Sequence, residues 1–291
     1  MSGEAAFITA LQNMALHSAA RGLADDCAVL EVGGETLVLT HDMMVEGVHW
    51  LAGQDPADVA WKLVATNLSD LAAKGAEPIG VLLGYTLGES DARFVEGLAA
   101  ALAHFGVPLL GGDTVCTPGP QTLGLTALGR ARQRPVPSRS GARSGNSVWI
   151  TGPVGAAMLG FEALQSGSGA DSEAYRRPTP RLAEGRALAP LVTAMMDVSD
   201  GLLLDCTRMA EASQVTFSLD PACIPLPRGL PPERTHDAMR WGDDYELLFT
   251  LPAGQTPPCT ATEIGEVRPR GAHPILLGET PPAGPLGYEH G

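Results

Sequence analysis

The sequence predicts two domains of the α+β or α/β class, each mixing helices with strands. Three observations carry this. At 291 residues with 44% hydrophobic side chains, the chain is long enough for two cores. Strand-like and helix-like stretches occur in both halves, but not in the strict βαβ order that a single doubly wound sheet requires. A Pro/Arg/Ser/Gly-rich stretch, residues 131–146 (ARQRPVPSRSGARSGN), interrupts the pattern near the middle. The expected domains are residues 1–135 and 136–291.

Taken in order, Phe7, Ile8, Leu11 and Met14 fit an amphipathic helix. This N-terminus has no basic region and no long apolar run, so no signal peptide is expected. Residues 34–42 (GETLVLTHD) read as a strand, following the apolar run CAVLEV. From Pro56 to Leu71, Val59, Leu63, Val64 and Leu68 recur at helical spacing. Residues 79–87 read as a strand and 90–105 as a helix with Ser90 as N-cap. A short strand, 107–110, precedes Gly111-Gly112-Asp113, and 121–130 reads as another strand. The second half opens with strand 147–151, a glycine turn and helix 155–165. Residues 166–180 read as a loop, and 181 to about 189 and 201–213 as helices. The Pro/Gly-rich tail, 252–291, holds one strand near 261–268.

Charge narrows the function. A net charge of −14 repels nucleic acid, anionic lipid and nucleotides alike, so a phosphate ligand needs metal or local arginine. Only two lysines occur, Lys62 and Lys74. No GxxxxGK[ST] occurs, which excludes a P-loop enzyme, and no GxGxxG follows a strand. Apolar runs fall far short of the ~20 residues of a membrane span. The cysteines (Cys27, Cys116, Cys206, Cys223, Cys259) are odd in number and form no CxxC pair, which fits reduced thiols and a cytoplasmic location.

Five aspartates each close an apolar run: Asp42, Asp70, Asp113, Asp197 and Asp200; Asp25 and Asp26 precede another. Acids placed at element ends can converge at one sheet edge, where they need a cation among them. Oxygen ligands without a Cys/His cluster favour Mg²⁺ over zinc, and metal with carboxylates points to phosphate chemistry. Each motif also has a plainer reading. Ser199-Asp200 before a helix is a cap worth ~1 kcal/mol, and Ser69-Asp70 a helix terminus. Gly111-Gly112-Asp113 is a turn, or a backbone that approaches phosphate closely. Gly152-Pro153-Val154-Gly155 is a packing turn, and His49 a core histidine. Arg139 and Arg143 are linker charge or a phosphate clamp.

The ordered set DDCAVL (25–30), LTHDMMVEGVHW (39–50), NLSDLAAKGAEP (67–78), GGDT (111–114), RSGARSGN (139–146), MDVSDGLLLD (196–205) and GDDYELLFT (242–250) resembles thiamine-monophosphate kinase over nearly the whole chain. The resemblance implies an aminoimidazole-ribonucleotide-synthetase-like fold whose N-terminal sheets pair across a homodimer into a barrel. It implies ATP-dependent conversion of thiamine monophosphate to thiamine diphosphate with several Mg²⁺ ions. The implied metal ligands are Asp26, Thr40, His41, Asp42, Asp70, Asp113, Asp197 and Asp200, of which Asp42, Asp70, Asp113 and Asp197 carry catalysis. Implied ATP contacts are Gly112, Asp113, Arg139 and Ser199; implied substrate contacts are His49, Asp243 and Tyr288. Three positions depart from the family's pattern. His41 replaces a threonine, Trp241 a glycine, and Asp243 a glutamate, reaching ~1.5 Å less. The chain ends shortly after Tyr288, on a segment expected to fray. The alternatives are another ATP-dependent synthetase of the superfamily and a non-catalytic metal or nucleotide sensor.

Overall fold

A computed structural model describes residues 3–289. The first half contains helix α1 (Gly3–Gln12), a 3-10 segment (Ser18–Leu23), and strands β1 (Ala28–Val32) and β2 (Glu35–Val45). Helix α2 (Pro56–Ala73), β3 (Ala76–Thr86), α3 (Asp91–Phe105), β4 (Leu109–Val115) and β5 (Thr122–Ala131) follow. The strands form one sheet in the order β1-β2-β5-β3-β4, antiparallel throughout except for the parallel β3–β4 edge. Alternation along β2 and β5 sends Val38, Met44, Leu123, Leu125 and Ala127 onto α2 and α3. Met43 and Leu82 stay 55% and 45% exposed, and β4 is exposed along its whole length.

The second half contains β6 (Ser147–Ile150), α4 (Ala156–Ser166), α5 (Glu173–Arg176) and α6 (Leu182–Leu188). It continues with β7 (Ala194–Asp197), α7 (Leu202–Ala212), β8 (Val215–Leu219), α8 (Thr235–Trp241), β9 (Leu247–Leu251), β10 (Thr262–Pro269) and β11 (Ile275–Leu277). Its sheet runs β11-β8-β10-β6-β9-β7, with antiparallel pairs except β11–β8.

Helix α2 joins the halves. Asp55 caps it, its carboxylate accepting from the Ala57 amide at 3.0 Å, and Pro56 occupies the first turn. Nearly every residue of α2 is buried, because sheet and α3 cover one side and α6 and β7 the other. Ala72 and Ala73 pack with Leu188, Met195, Leu247 and Phe249 in a shared core.

Several elements differ from the sequence expectation. The stretch 166–180 contains the short helix α5. Strands β8 (VTFSL) and β9 (LLFTL) bury every residue, so they lack the alternation that marks a strand. Ser90 makes no capping bond; Asp91 instead accepts from the Gly88 amide and the Tyr85 hydroxyl, both at 2.8 Å. The apolar side of α1 is not buried on this chain: Phe7 is 64% exposed.

Candidate active site

On α2 and its C-cap, Lys62, Thr66, Asp70 and Lys74 stand four residues apart, so they form one polar ridge along the helix. A cavity of about 580 Å³ lies between the halves, and Thr66 and Asp70 form part of its wall. Its two ends differ in chemistry.

The acidic end gathers side chains from four places. Asp26 precedes β1, Asp42 lies on β2, Asp70 on α2, and Asp197 closes β7. One carboxylate oxygen each from Asp26, Asp70 and Asp197 lie within 4.8 Å of one another. Burial, with Asp26 and Asp200 nearby, raises the Asp42 carboxyl to about 6. Burial and then Asp26 raise Asp197 to about 8. Burial, then Asp42 and Asp197, push Asp70 well above the carboxylate range. Hydroxyls orient two of these groups: Thr40 donates to Asp70 Oδ2, and Ser69 donates to Asp197 Oδ2 at 2.5 Å.

Cations hold the rest. Arg139 Nε donates to Asp26 Oδ1 at 2.7 Å. Lys74 Nζ lies 2.5 Å from Asp26 Oδ2, which nonetheless receives no well-directed hydrogen bond. Arg208 pairs with Asp200 and, at 3.0 Å, with Asp205. Asp205 accepts from the Ser199 and Asp200 amides, both at 3.1 Å. The capping reading of Ser199-Asp200 therefore fails: Gly201 occupies the cap position, and Asp200 faces the cavity beside Arg208. Hard oxygens with no sulfur or imidazole, from carboxylates of which Asp70 and Asp197 have no cation partner among the described residues, fit a hard divalent cation.

Three expected residues lie elsewhere. His41 sits on the exposed face of β2, its Nδ1 2.9 Å from Thr126 Oγ1. Gly112 and Asp113 lie inside β4, exposed and outside the cavity wall. Gly112 is thus a strand residue rather than a turn residue. A Cβ there would fall 1.9 Å from the Leu83 carbonyl oxygen, so close pairing with β3 accounts for the glycine. The helix-start glycines near 152–155 act as packing and capping elements, since Asp244 accepts from the Gly155 amide at 2.9 Å.

The other end is aromatic. His49 and Asp243 meet here with Phe161, Tyr175, Trp241 and Tyr245, and Tyr288 also lines the cavity. Phe161 lies 5.3 Å from Tyr175 and 5.1 Å from Trp241, ring centre to ring centre. Asp243 is held from two sides, by Lys62 at 2.7 Å and the Tyr245 hydroxyl at 2.8 Å. The buried Lys62 ammonium also stands 3.8 Å from the centre of the Tyr175 ring and donates to the His49 carbonyl at 3.1 Å. Asp243 and Tyr245 adopt φ of +59° and +52°, a conformation that costs about 1–3 kcal/mol per residue. Backbone bonds hold it: Asp243 N to Ser199 O and Tyr245 N to Val198 O, both 2.8 Å. Gly242 (φ +89°) permits the approach, since a Cβ would lie 2.4 Å from Ser199 O. The tail expected to fray is tied down, with the Tyr288 amide donating to Asp200 O at 2.9 Å.

Sequence reasoning missed Lys62, Lys74, Phe161, Tyr175 and Tyr245. Its available signal was that both lysines of the chain fall on one four-residue row of a helix.

Residues 24–131 match the family described as AIR synthase related protein, N-terminal domain, and residues 143–273 match its C-terminal domain. With the two mixed sheets, this gives the class: a two-domain AIR-synthase-related fold. Thiamine-monophosphate kinase of Caulobacter vibrioides is 38% identical over 298 residues, 92% of this chain and 85% of the relative. The Escherichia coli (strain K12) enzyme of the same name is 37% identical over 255 residues, 79% and 76% of the two chains. A solved structure named AaThiL complexed with AMPPCP and TMP superposes with a TM-score of 0.89 at 27% identity, covering 99% of this chain and 97% of that one. The chain belongs to the thiamine-monophosphate kinase family.

Proposed function

We propose that the cavity transfers the γ-phosphoryl group of ATP directly to the phosphate of thiamine monophosphate, giving thiamine diphosphate and ADP. The observation that carries this reading is the cavity's two-ended chemistry: buried carboxylates at one end, rings around a held carboxylate at the other. Family membership and the solved relative bound to AMPPCP and TMP support it.

The chain's residues divide the work. Phe161, Tyr175 and Trp241 offer ring faces to a flat cationic heterocycle, and Asp243 offers the opposite charge. Lys62 and Tyr245 fix the direction of Asp243. His49 adds to that end, and Tyr288 lines the cavity beside Asp200. A phosphate monoester has a second pKa near ~6, so the acceptor oxygen is already deprotonated at neutral pH and no general base is required. The remaining difficulty is repulsion between two polyanions. Asp26, Asp42, Asp70 and Asp197, with Asp200, are the residues that would hold Mg²⁺, with Thr40 orienting Asp70. Mg²⁺, when bound, screens the phosphates and neutralises charge as transfer proceeds. Arg139 adds fixed positive charge and Ser199 lines the nucleotide side of the wall.

We assign residues 1–135 to metal and nucleotide binding and dimerisation, and 136–291 to completing the site, in a cytoplasmic enzyme. The half-exposed face carrying Met43 and Leu82, with exposed edge β4, is the surface we assign to pairing of two copies. Met43 belongs both to this surface and to the cavity wall. Pairing would therefore close the cavity and bring Gly112 and Asp113 toward a neighbouring one. The test is incubation with ATP, Mg²⁺ and thiamine monophosphate. Thiamine diphosphate and ADP appearing in equal amounts is the expected result. ADP without thiamine diphosphate favours another synthetase of the superfamily, and nucleotide binding without turnover favours a sensor.

A further inference from the structure

We propose that Lys74 is a resident cation of the carboxylate cradle, its ammonium bridging Asp25 and Asp26 so that the cradle takes one fewer divalent ion. This rests on the reading that the cradle binds divalent ions.

Lys74 is fully buried. Its Nζ lies 2.5 Å from Asp25 Oδ1, 2.5 Å from Asp26 Oδ2 and 3.4 Å from the Met195 carbonyl oxygen. An ammonium has three donors and here has three oxygen neighbours, two of them anionic. That is the environment of a small cation bridging two carboxylates.

Residue choice supports a role for this charge. The chain uses arginine nearly everywhere and lysine only at 62 and 74, both fully buried and each paired with an aspartate of the cavity wall. The lysine ammonium is a compact point charge, which suits a fully buried position between two carboxylates. The distribution of charge agrees. Asp25 has Arg21 as well as Lys74, and Asp26 has Arg139 as well as Lys74. Asp42, Asp70 and Asp197 have no ion-pair partner among the described residues, while Asp25 and Asp26 each have two. The protein thus supplies cations to one side of the cradle and leaves the other side to divalent ions. Lys74 also links the two halves without metal, since Met195 lies two residues before Asp197 on β7.

The test uses the full-length, metal-stripped protein without nucleotide, and counts bound Mn²⁺ by electron paramagnetic resonance and calorimetry. K74M keeps the volume and removes the charge; K74R keeps the charge. K74M is expected to bind one more Mn²⁺ per chain than wild type, to melt at a lower temperature without metal, and to recover most of that loss at saturating Mn²⁺. K74R is expected to keep the wild-type stoichiometry. Equal stoichiometry in wild type and K74M overturns the inference and leaves the metal reading standing. A K74M chain that stays unfolded at saturating Mn²⁺ overturns it as well, because the ion then does not replace the ammonium. Wild type that binds no Mn²⁺ removes the metal reading and this inference together.

Discussion

Replacing Asp197 by asparagine should stabilise the metal-free protein at neutral pH and abolish its response to Mg²⁺. Asp197 is 3% exposed, and its carboxyl is raised from 3.8 to about 8 by burial and by Asp26. Below 3.8 it is protonated in both the folded and unfolded chain and contributes nothing. As pH rises above 3.8 the unfolded chain releases the proton and the folded chain keeps it. The penalty on folding grows until pH reaches about 8 and is constant beyond. At about 1.36 kcal/mol per pK unit, a proton held some 3 units above its ordinary value at pH 7 costs about 4 kcal/mol. Proton sharing with Asp70 and Asp42 lowers the expected gain to about 2–4 kcal/mol. With unfolding entropy of about 2.1 cal/mol/K per residue, this corresponds to a Tm higher by about 3–7 °C. Asparagine keeps an oxygen to accept from Ser69. The assay is scanning calorimetry at pH 4.5 and 7.5, with and without Mg²⁺. The advantage of D197N should be small at pH 4.5 and close to its full value at pH 7.5. Wild type alone should gain from Mg²⁺, by about 2.7 kcal/mol when the ion is at a hundred times its Kd. A D197N protein less stable than wild type at pH 7.5 without metal would refute the electrostatic account of this cluster.

Asp42→Asn should cut turnover by about 10²–10³-fold, the usual effect of losing one electrostatic stabiliser, with an unchanged far-ultraviolet spectrum; near-normal turnover at saturating Mg²⁺ would count against its role. Lys62→Met removes a charged partner of Asp243, worth about 1.5–3 kcal/mol, and should raise KM for thiamine monophosphate by about tenfold or more while kcat changes less. Initial-rate kinetics check this, and a kcat effect with unchanged KM would contradict it. Leu82→Asp places a charge on the half-exposed sheet face and should yield monomers by light scattering where wild type gives dimers. A wild-type monomer would remove the assigned pairing surface.

Much of the architecture was legible because its signals are periodic. The apolar spacing of Val59, Leu63, Val64 and Leu68 marked α2, and the proline-rich stretch marked the change from one sheet to the other. Strands β8 and β9 were illegible for the opposite reason, since burial on both faces erases alternation. The convergence of Asp26, Asp42, Asp70 and Asp197 was readable from acids that begin or close apolar runs. Their cation partners were not. Lys74 reads as an ordinary helix-end lysine until α6 and β7 bury it against Asp25 and Asp26. Gly112-Asp113 carried the look of a turn, but sequence cannot show that the Gly112 backbone lies flat against Leu83. The aromatic end is assembled from α4, α5, α8 and the segment before β9, four places that no local pattern joins.

The most direct test is a product analysis. Purified protein is incubated with ATP, Mg²⁺ and thiamine monophosphate, with and without a chelator, and thiamine species and adenine nucleotides are separated by chromatography. The account predicts thiamine diphosphate and ADP in a one-to-one ratio, both lost on chelation. Sustained ADP formation without thiamine diphosphate, or no turnover with both substrates bound, would contradict it.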